Sequence, residues 1–191
     1  MQSSERPIVL HVFSPTIEPG RSIRQVVESV GANGDQVKFV AHFIGSFLVY
    51  TRVETPSLED AQAFIAGPLW DAGVRSQTST EIKVSNIRGP KRASPPYCAL
   101  VRVRAAGSPF ELLDALDERF GPKFDQDEYW YGAAVVSGRG FDVLVDLGRP
   151  SFEELWKAIV EDLLTVGGIA DTDSSFAYLP GNAIRGGEDG G

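Results

Sequence analysis

The chain has 191 residues, 42% hydrophobic and 10% aromatic, which is enough apolar material for one or two compact domains. Its net charge is −8, and the excess lies in the second half: residues 1–95 carry 10 Lys/Arg against 9 Asp/Glu, residues 96–191 carry 8 against 17. This argues against direct nucleic-acid binding, which requires clustered cations. No apolar stretch reaches the roughly 18 residues that span a bilayer, and the run after Arg6 is too short for a signal peptide. We therefore expect no membrane contact and a cytoplasmic protein.

The first half predicts the element order strand, helix, strand, strand, helix, strand. The four predicted strands are Ile8–Phe13, Val37–Phe43, Phe47–Val53 and Ser76–Val84. The first helix has apolar residues at the i, i+3, i+4, i+7 spacing of one helical face: Ile23, Val26, Val27 and Val30. A second helix begins after Ser57, a typical N-cap, and Gly67-Pro68 should end or kink it early.

The second half predicts the same order with stronger local signals. Its strands are Cys98–Arg104, Glu128–Val136, Phe141–Leu147 and Thr172–Leu179. Ser108-Pro109-Phe110-Glu111 combines an N-cap, a first-turn proline and a capping-box glutamate, which predicts a helix. Ser151 and Glu154 form a second capping box before another helix.

The two halves also share sequence. Phe47-Leu48-Val49-Tyr50 matches Phe141-Asp142-Val143-Leu144, and Pro56-Ser57 matches Pro150-Ser151, both at an offset of 94 residues. A βαββαβ unit places both helices on one face of a four-stranded antiparallel sheet and leaves the other face to be covered. We therefore predict an α+β protein of two tandem ferredoxin-like repeats packed as a pseudo-dimeric α/β barrel. The expected divisions are a first repeat at 7–85, a linker at 86–96, a second repeat at 97–179 and a disordered tail at 180–191.

Two short motifs in the second half carry a resemblance to a known family. One is the hairpin turn Gly138-Arg139-Gly140-Phe141-Asp142, followed by alternating apolar residues, and the other is Gly168-Ile169-Ala170-Asp171-Thr172-Asp173-Ser174. This half resembles the effector-binding domain of the Lrp/AsnC regulators. The first half resembles it less well, because Leu48 occupies the aspartate position. Members usually have a helix-turn-helix before this domain, and only about seven residues precede the first strand here.

The resemblance implies a stand-alone module, without its own DNA-binding domain, that binds an amino acid or a related metabolite. The ligand-binding residues that it implies are Gly138, Gly140, Asp142, Thr172 and Ser174. An aspartate would pair with an ammonium group, and hydroxyl or amide groups would bind a carboxylate. The alternative is that Asp142 only accepts hydrogen bonds from turn amides. Because the first half has Leu48 in place of the aspartate, we expect at most one site per chain.

The rival hypothesis is an enzyme of the dimeric α/β-barrel type, an oxygenase, a cyclase or a haem- or tetrapyrrole-handling protein, with a pocket between the two sheets. The only histidines, His11 and His42, lie on predicted strands of the first half and are the candidate catalytic residues or haem ligands if they share a face. No metal site is predicted, and no cofactor is predicted apart from haem in this alternative. The single cysteine, Cys98, excludes an internal disulfide.

The expected partners follow from these two hypotheses. Both require a small-molecule ligand. The first also allows a homo-oligomer, or association with DNA-binding Lrp/AsnC-like proteins. The acidic helix faces of the second half suit a basic partner, although such charges more often only solvate a surface.

Overall fold

The computed structural model describes residues 7–75, 79–87, 95–125, 130–138, 140–180 and 183–185. The chain divides into two compact units, the first formed by residues 1–82 with 181–191 and the second by residues 83–180. In each unit an antiparallel sheet carries helices on one face, which confirms the predicted α+β class and the ferredoxin-like repeats. Among the residues described, no helix is long and apolar enough to cross a membrane.

The first unit is built on a sheet with the strand order β4-β1-β3-β2-β9. Its elements are β1 Ile8–Ser14, α1 Ile23–Gly31, β2 Val37–His42, β3 Val49–Thr55, α2 Leu58–Phe64, β4 Ser79–Ile87 and β9 Ala183–Arg185. Local chemistry sets the helix starts: Ser22 and Gln25 form a reciprocal capping box on α1, and Ser57 Oγ accepts from the Asp60 amide at 3.1 Å on α2. The apolar row of α1 packs on the sheet, with Val26 and Val30 fully buried.

The second unit has the strand order β8-β5-β7-β6. Its elements are β5 Tyr97–Ala105, α3 Pro109–Asp125, β6 Trp130–Ser137, β7 Val143–Arg149, α4 Phe152–Lys157 and β8 Ile169–Tyr178. Ser151 Oγ caps α4 by accepting from the Glu154 amide at 3.2 Å, as its sequence predicts. Odd-numbered residues of β5, β6 and β7 face the helices and form the core with Leu116 and Phe120 of α3.

The two units share unusual backbone features as well as strand order. After α2 the helix continues as a π-helical turn at Ile65–Leu69, and α4 continues in the same way at Ala158–Asp162. Gly73 and Gly168 then adopt positive φ values of 96° and 90°. The prediction that Gly67-Pro68 ends the second helix early is therefore only partly right. The α-helical hydrogen bonding stops at Phe64, but the π turn carries the helix through Pro68.

Two predicted boundaries are wrong. The tail was expected to be disordered from residue 180, but Ala183–Arg185 forms β9, which pairs with β2 through Ile184 and Val40. Ile184 packs on the core of the first unit, so its apolar side chain anchors this segment. The linker was expected to begin at residue 86, but β4 extends to Ile87. The predicted linker residues 88–94, strand residues 76–78 and Tyr129 lie outside the described residues.

Candidate functional site

The sheet of the first unit has an aromatic face on the side away from its helices. Leu10 and Val12 of β1 belong to the helix-side core, so the alternating His11 and Phe13 lie on the other side. The same face continues on β3, because paired residues of neighbouring strands lie on one side of the sheet: His11 pairs with Arg52 and Phe13 pairs with Tyr50. We define the aromatic face by the rings in contact there: His11, Phe13, Phe39, Phe43, Phe47 and Tyr50.

A short hydrogen bond joins His11 and Tyr50 within this face. His11 Nδ1 lies 2.6 Å from Tyr50 Oη, and the two rings are nearly parallel at 12°. Both side chains are buried, at 7% and 5% exposure. The surrounding rings pack closely, with 5.4 Å between the centroids of Phe13 and Tyr50. A polar pair is therefore held in an otherwise apolar setting, where a hydrogen bond is stronger than in water.

His42, the second histidine, lies on the opposite face of the same sheet. It pairs with Val49, which belongs to the helix-side core. Burial lowers the pKa of His42, because the charged imidazolium loses hydration there. The two histidines therefore lie on opposite faces of one sheet and do not form a joint site.

In the second unit, the predicted hairpin turn contains a glycine with a positive φ. Gly138 and Gly140 follow the end of β6, and Gly140 adopts a positive φ of 101°. Asp142 closes the turn: its amide donates to Val103 O at 2.9 Å, and its Oδ2 accepts from the Ala105 amide at 2.9 Å. The aspartate thus has the structural role that sequence analysis named as the alternative to ligand binding.

Thr172 and Ser174 lie on β8 and face the helices. They pair with Val103 and Val101, both of the helix-side core. β5 separates them from Asp142, and two strand spacings amount to roughly 10 Å. Within the described parts of the chain, no hydrogen bond joins Asp142 to either hydroxyl. The predicted ligand-binding residues are therefore neighbours along one end of the sheet but are not gathered around a common point.

Sequence reasoning missed a charged group on the opposite face of this sheet. Arg102 of β5 forms an ion pair with Asp173 of β8, and its guanidinium lies 4.7 Å from the centroid of the Phe141 ring. Both residues of the ion pair are partly buried. The only sequence signal was the alternation of charged and apolar residues along the two strands. Tyr50 was missed for a related reason, since nothing local shows that it faces His11.

The two histidines differ in their settings as possible haem ligands. Both histidines belong to the first unit. The Tyr50 ring stacks on His11 with 6.0 Å between centroids, and Phe13 and Phe47 are each only 1% exposed. His42 faces the helix-side core, so of the two histidines only His11 lies on the aromatic face. The described residues also contain no cluster of His, Cys, Asp or Glu suited to a metal ion.

No family model and no curated protein matches the chain. Solved structures similar to it include a candidate monooxygenase from Lactobacillus acidophilus, with 11% identity, a TM-score of 0.63 and coverage of 96% of this chain and 98% of that one. A mutant chlorite dismutase from Candidatus Nitrospira defluvii has 10% identity, a TM-score of 0.55 and coverage of 89% and 91%. A haem-binding protein from Thermus thermophilus has 13% identity, a TM-score of 0.52 and coverage of 92% of each chain. At these identities the likeness concerns the fold.

Proposed function

We propose that this chain is an enzyme of the dimeric α/β-barrel class that removes a proton from a planar aromatic substrate, with His11 and Tyr50 as its proton-transfer pair. The observation that carries the proposal is the 2.6 Å hydrogen bond between these side chains within the aromatic face. The fold likeness to a candidate monooxygenase supports the reaction class. Phenylalanine rings suit a planar aromatic substrate, because offset and edge-to-face ring pairs are favourable.

The internal duplication offers an argument that the fold itself does not need this pair. His11 pairs with Arg52 in the first repeat, and Leu100 pairs with Asp146, 94 residues after Arg52, in the second. Leu100 therefore corresponds to His11, and Leu144 corresponds to Tyr50. Both leucines are buried, at 2% and 4% exposure. A buried polar pair costs desolvation that two leucines avoid, so its presence in one repeat alone favours a chemical role.

The hydrogen bond can prepare His11 for general-base catalysis. In the tautomer in which Nδ1–H donates to Tyr50 Oη, the proton-accepting lone pair of the imidazole is on Nε2. The tyrosine oxygen then stabilises the imidazolium that forms.

A monooxygenase reaction of this kind is balanced without an external reductant. When a ring CH₂ group becomes a carbonyl, one O₂ is consumed, one of its oxygen atoms enters the product and the other leaves as water. The substrate supplies the electrons, and the base removes the proton that starts the reaction. Substrates with an acidic CH₂ between aromatic rings have the required chemistry. Hydroquinones also have it: one ring C–H becomes C–OH, the ring is oxidised to the quinone, and the second oxygen atom of O₂ leaves as water.

Oxygen uptake by the purified protein tests the proposal. We would supply a panel of polycyclic phenols and hydroquinones without added metal or cofactor. Catalysed uptake should fall by at least about a hundredfold in His11→Leu/Tyr50→Leu, which copies the second repeat, because general-base catalysis contributes roughly 10²–10⁴. His42→Gln is the matched control and should retain activity. Equal rates in the wild type and the leucine variant would refute the role of the pair. A Soret absorption band in the purified protein would instead support the haem-handling alternative.

The effector-binding module remains the second candidate, and its support is the turn at Gly140 and Asp142. Its site would use the second carboxylate oxygen of Asp142, since Oδ2 already accepts from Ala105. A thermal-shift screen against free amino acids tests this candidate, because a ligand that binds only the folded state raises its stability. Titration calorimetry should then give no more than one site per chain, and two equivalent sites would contradict it.

A further inference from the structure

The second unit exposes a row of large apolar side chains along α4 and its continuation. Phe152, Trp156, Val160 and Leu164 are 49%, 51%, 41% and 49% exposed. They recur every four residues, and on an α-helix each such step overshoots a full turn by about 40°. The π turn at Ala158–Asp162, with its wider hydrogen-bonding step, reduces this drift along the row.

Aromatic residues of the edge strand β8 extend this row. Phe176 lies 5.4 Å from Phe152 and 6.2 Å from Trp156, measured between ring centroids. Tyr178, farther along the same strand, is 50% exposed. We call these six residues the α4 stripe. Contiguous exposed apolar surface of this kind marks an interaction site more often than scattered single residues do.

The first unit has no such stripe at the equivalent positions. Leu58, Gln62, Ala66 and Trp70 precede the four residues of the row by 94 residues each. Gln62 and Ala66 interrupt the row, and the guanidinium of Arg75 lies over the Trp70 ring at 4.5 Å from its centroid. The fold therefore accommodates a polar interruption here, and the continuous stripe is specific to the second repeat.

The charges on the two helices of this unit indicate the chemistry of a partner. In the described part of α3 and α4, each cation already has a carboxylate partner: Arg119 and Lys123 bond to Asp162, and Lys157 to Glu153. Five exposed carboxylates on the two helices and on the π turn that continues α4 have no ion-pair partner within the described residues: Glu111, Asp114, Glu118, Glu154 and Glu161. A second copy of this chain would bring like charges together, and an anionic membrane would be repelled.

We propose that the α4 stripe docks a cationic amphipathic helix of another protein. Such a helix would place its apolar anchors, spaced i, i+3, i+4 and i+7, on Phe152, Trp156 and Val160. Its flanking lysines or arginines would meet the unpaired carboxylates. Trp156 is the expected main contributor, because a central tryptophan commonly dominates the energy of an interface.

Fluorescence anisotropy with two labelled model peptides tests the proposal. One is an 18-residue leucine–lysine amphipathic helix, and the other replaces each lysine by glutamate. The lysine peptide should bind, the glutamate peptide at least about tenfold more weakly, and Trp156→Gln/Val160→Ala should weaken lysine-peptide binding by at least about tenfold. This variant copies Gln62 and Ala66 and leaves the charge unchanged. Leu58→Gln in the first repeat is the matched control and should bind as the wild type does.

Two results would overturn the proposal. Equal binding of the lysine peptide to the wild type and to Trp156→Gln/Val160→Ala would mean that charge alone attracts it. A wild-type dimer in sedimentation equilibrium that this variant converts to a monomer would identify a second copy as the occupant. If the double variant fails to fold, Leu164→Gln serves in its place, and an unchanged affinity in that variant would count against the stripe.

Discussion

The role of Asp142 can be decided by comparing two substitutions. Its Oδ2 is the acceptor for the partly buried amide of Ala105 at 2.9 Å. Asp142→Ala removes this acceptor and leaves the amide unsatisfied, which costs about 1–2 kcal/mol, whereas Asp142→Asn keeps an oxygen in place and should cost well under about 1 kcal/mol. For a chain of this length, about 1 kcal/mol shifts the melting temperature by roughly 2–4 °C. We therefore expect a fall of about 2–8 °C for alanine and about 2 °C or less for asparagine.

The same pair of variants separates the structural role from a ligand-binding role. Differential scanning fluorimetry without ligand measures the first, and the amino-acid shift measures the second. If Asp142 binds an ammonium group, Asp142→Asn should lose the ligand-induced shift while it keeps most of its stability, because the amide has no negative charge. Equal destabilisation by asparagine and alanine would refute the hydrogen-bond argument.

Three further predictions concern stability. Burial lowers the pKa of His42 in the folded state, so the unfolded chain binds a proton more tightly at this residue. The free energy of unfolding should therefore fall as pH drops below about 6.5, and His42→Gln should flatten the dependence of the melting temperature on pH between about pH 6.5 and 5. Asp162→Ala should cost about 2–3 kcal/mol in urea unfolding, since its buried carboxylate binds Arg119 and Lys123 at 2.6 and 2.8 Å, while Glu154→Ala should change little. Gly148→Ala should cost about 1–3 kcal/mol, because a Cβ there would collide with Pro95 and Trp130, whereas Gly107→Ala meets open space.

The helix starts and the order of elements along the chain could be predicted from local sequence chemistry. The face of the sheet on which each strand residue lies could not. Ser57 and Ser151 cap their helices as their side chains predict. The face of His42 depends on one irregularity: the register of β2 shifts between Val37 and Phe39. Strict alternation from Val37 would place His42 with His11, and the extra residue reverses that assignment. A bulge has no reliable sequence signature, so alternation along the sequence could not predict the face of His42.

Long-range placement was the other part that sequence could not supply. Tyr50 reaches His11 only because β1 and β3 pair in one particular register across 39 residues of chain. Trp156 is apolar but 51% exposed, because Leu155 and Ile159 already occupy the side of α4 that faces the sheet. Hydrophobicity alone does not distinguish a core residue from a docking residue one position away.

The last prediction is a double-mutant cycle on His11 and Tyr50. His11→Leu or Tyr50→Leu alone removes one end of a buried hydrogen bond and should cost about 1–3 kcal/mol in denaturant unfolding. The double variant should be close to the wild type or more stable, because it recreates the packing that Leu100 and Leu144 already achieve in the second repeat. The coupling energy should therefore be favourable and close to the sum of the two single costs, at about 2–6 kcal/mol. A double variant whose cost equals the sum of the two single costs would show that the pair is not coupled. That result would also remove the argument that the fold tolerates leucine at both positions, and with it the reason to assign the pair to chemistry.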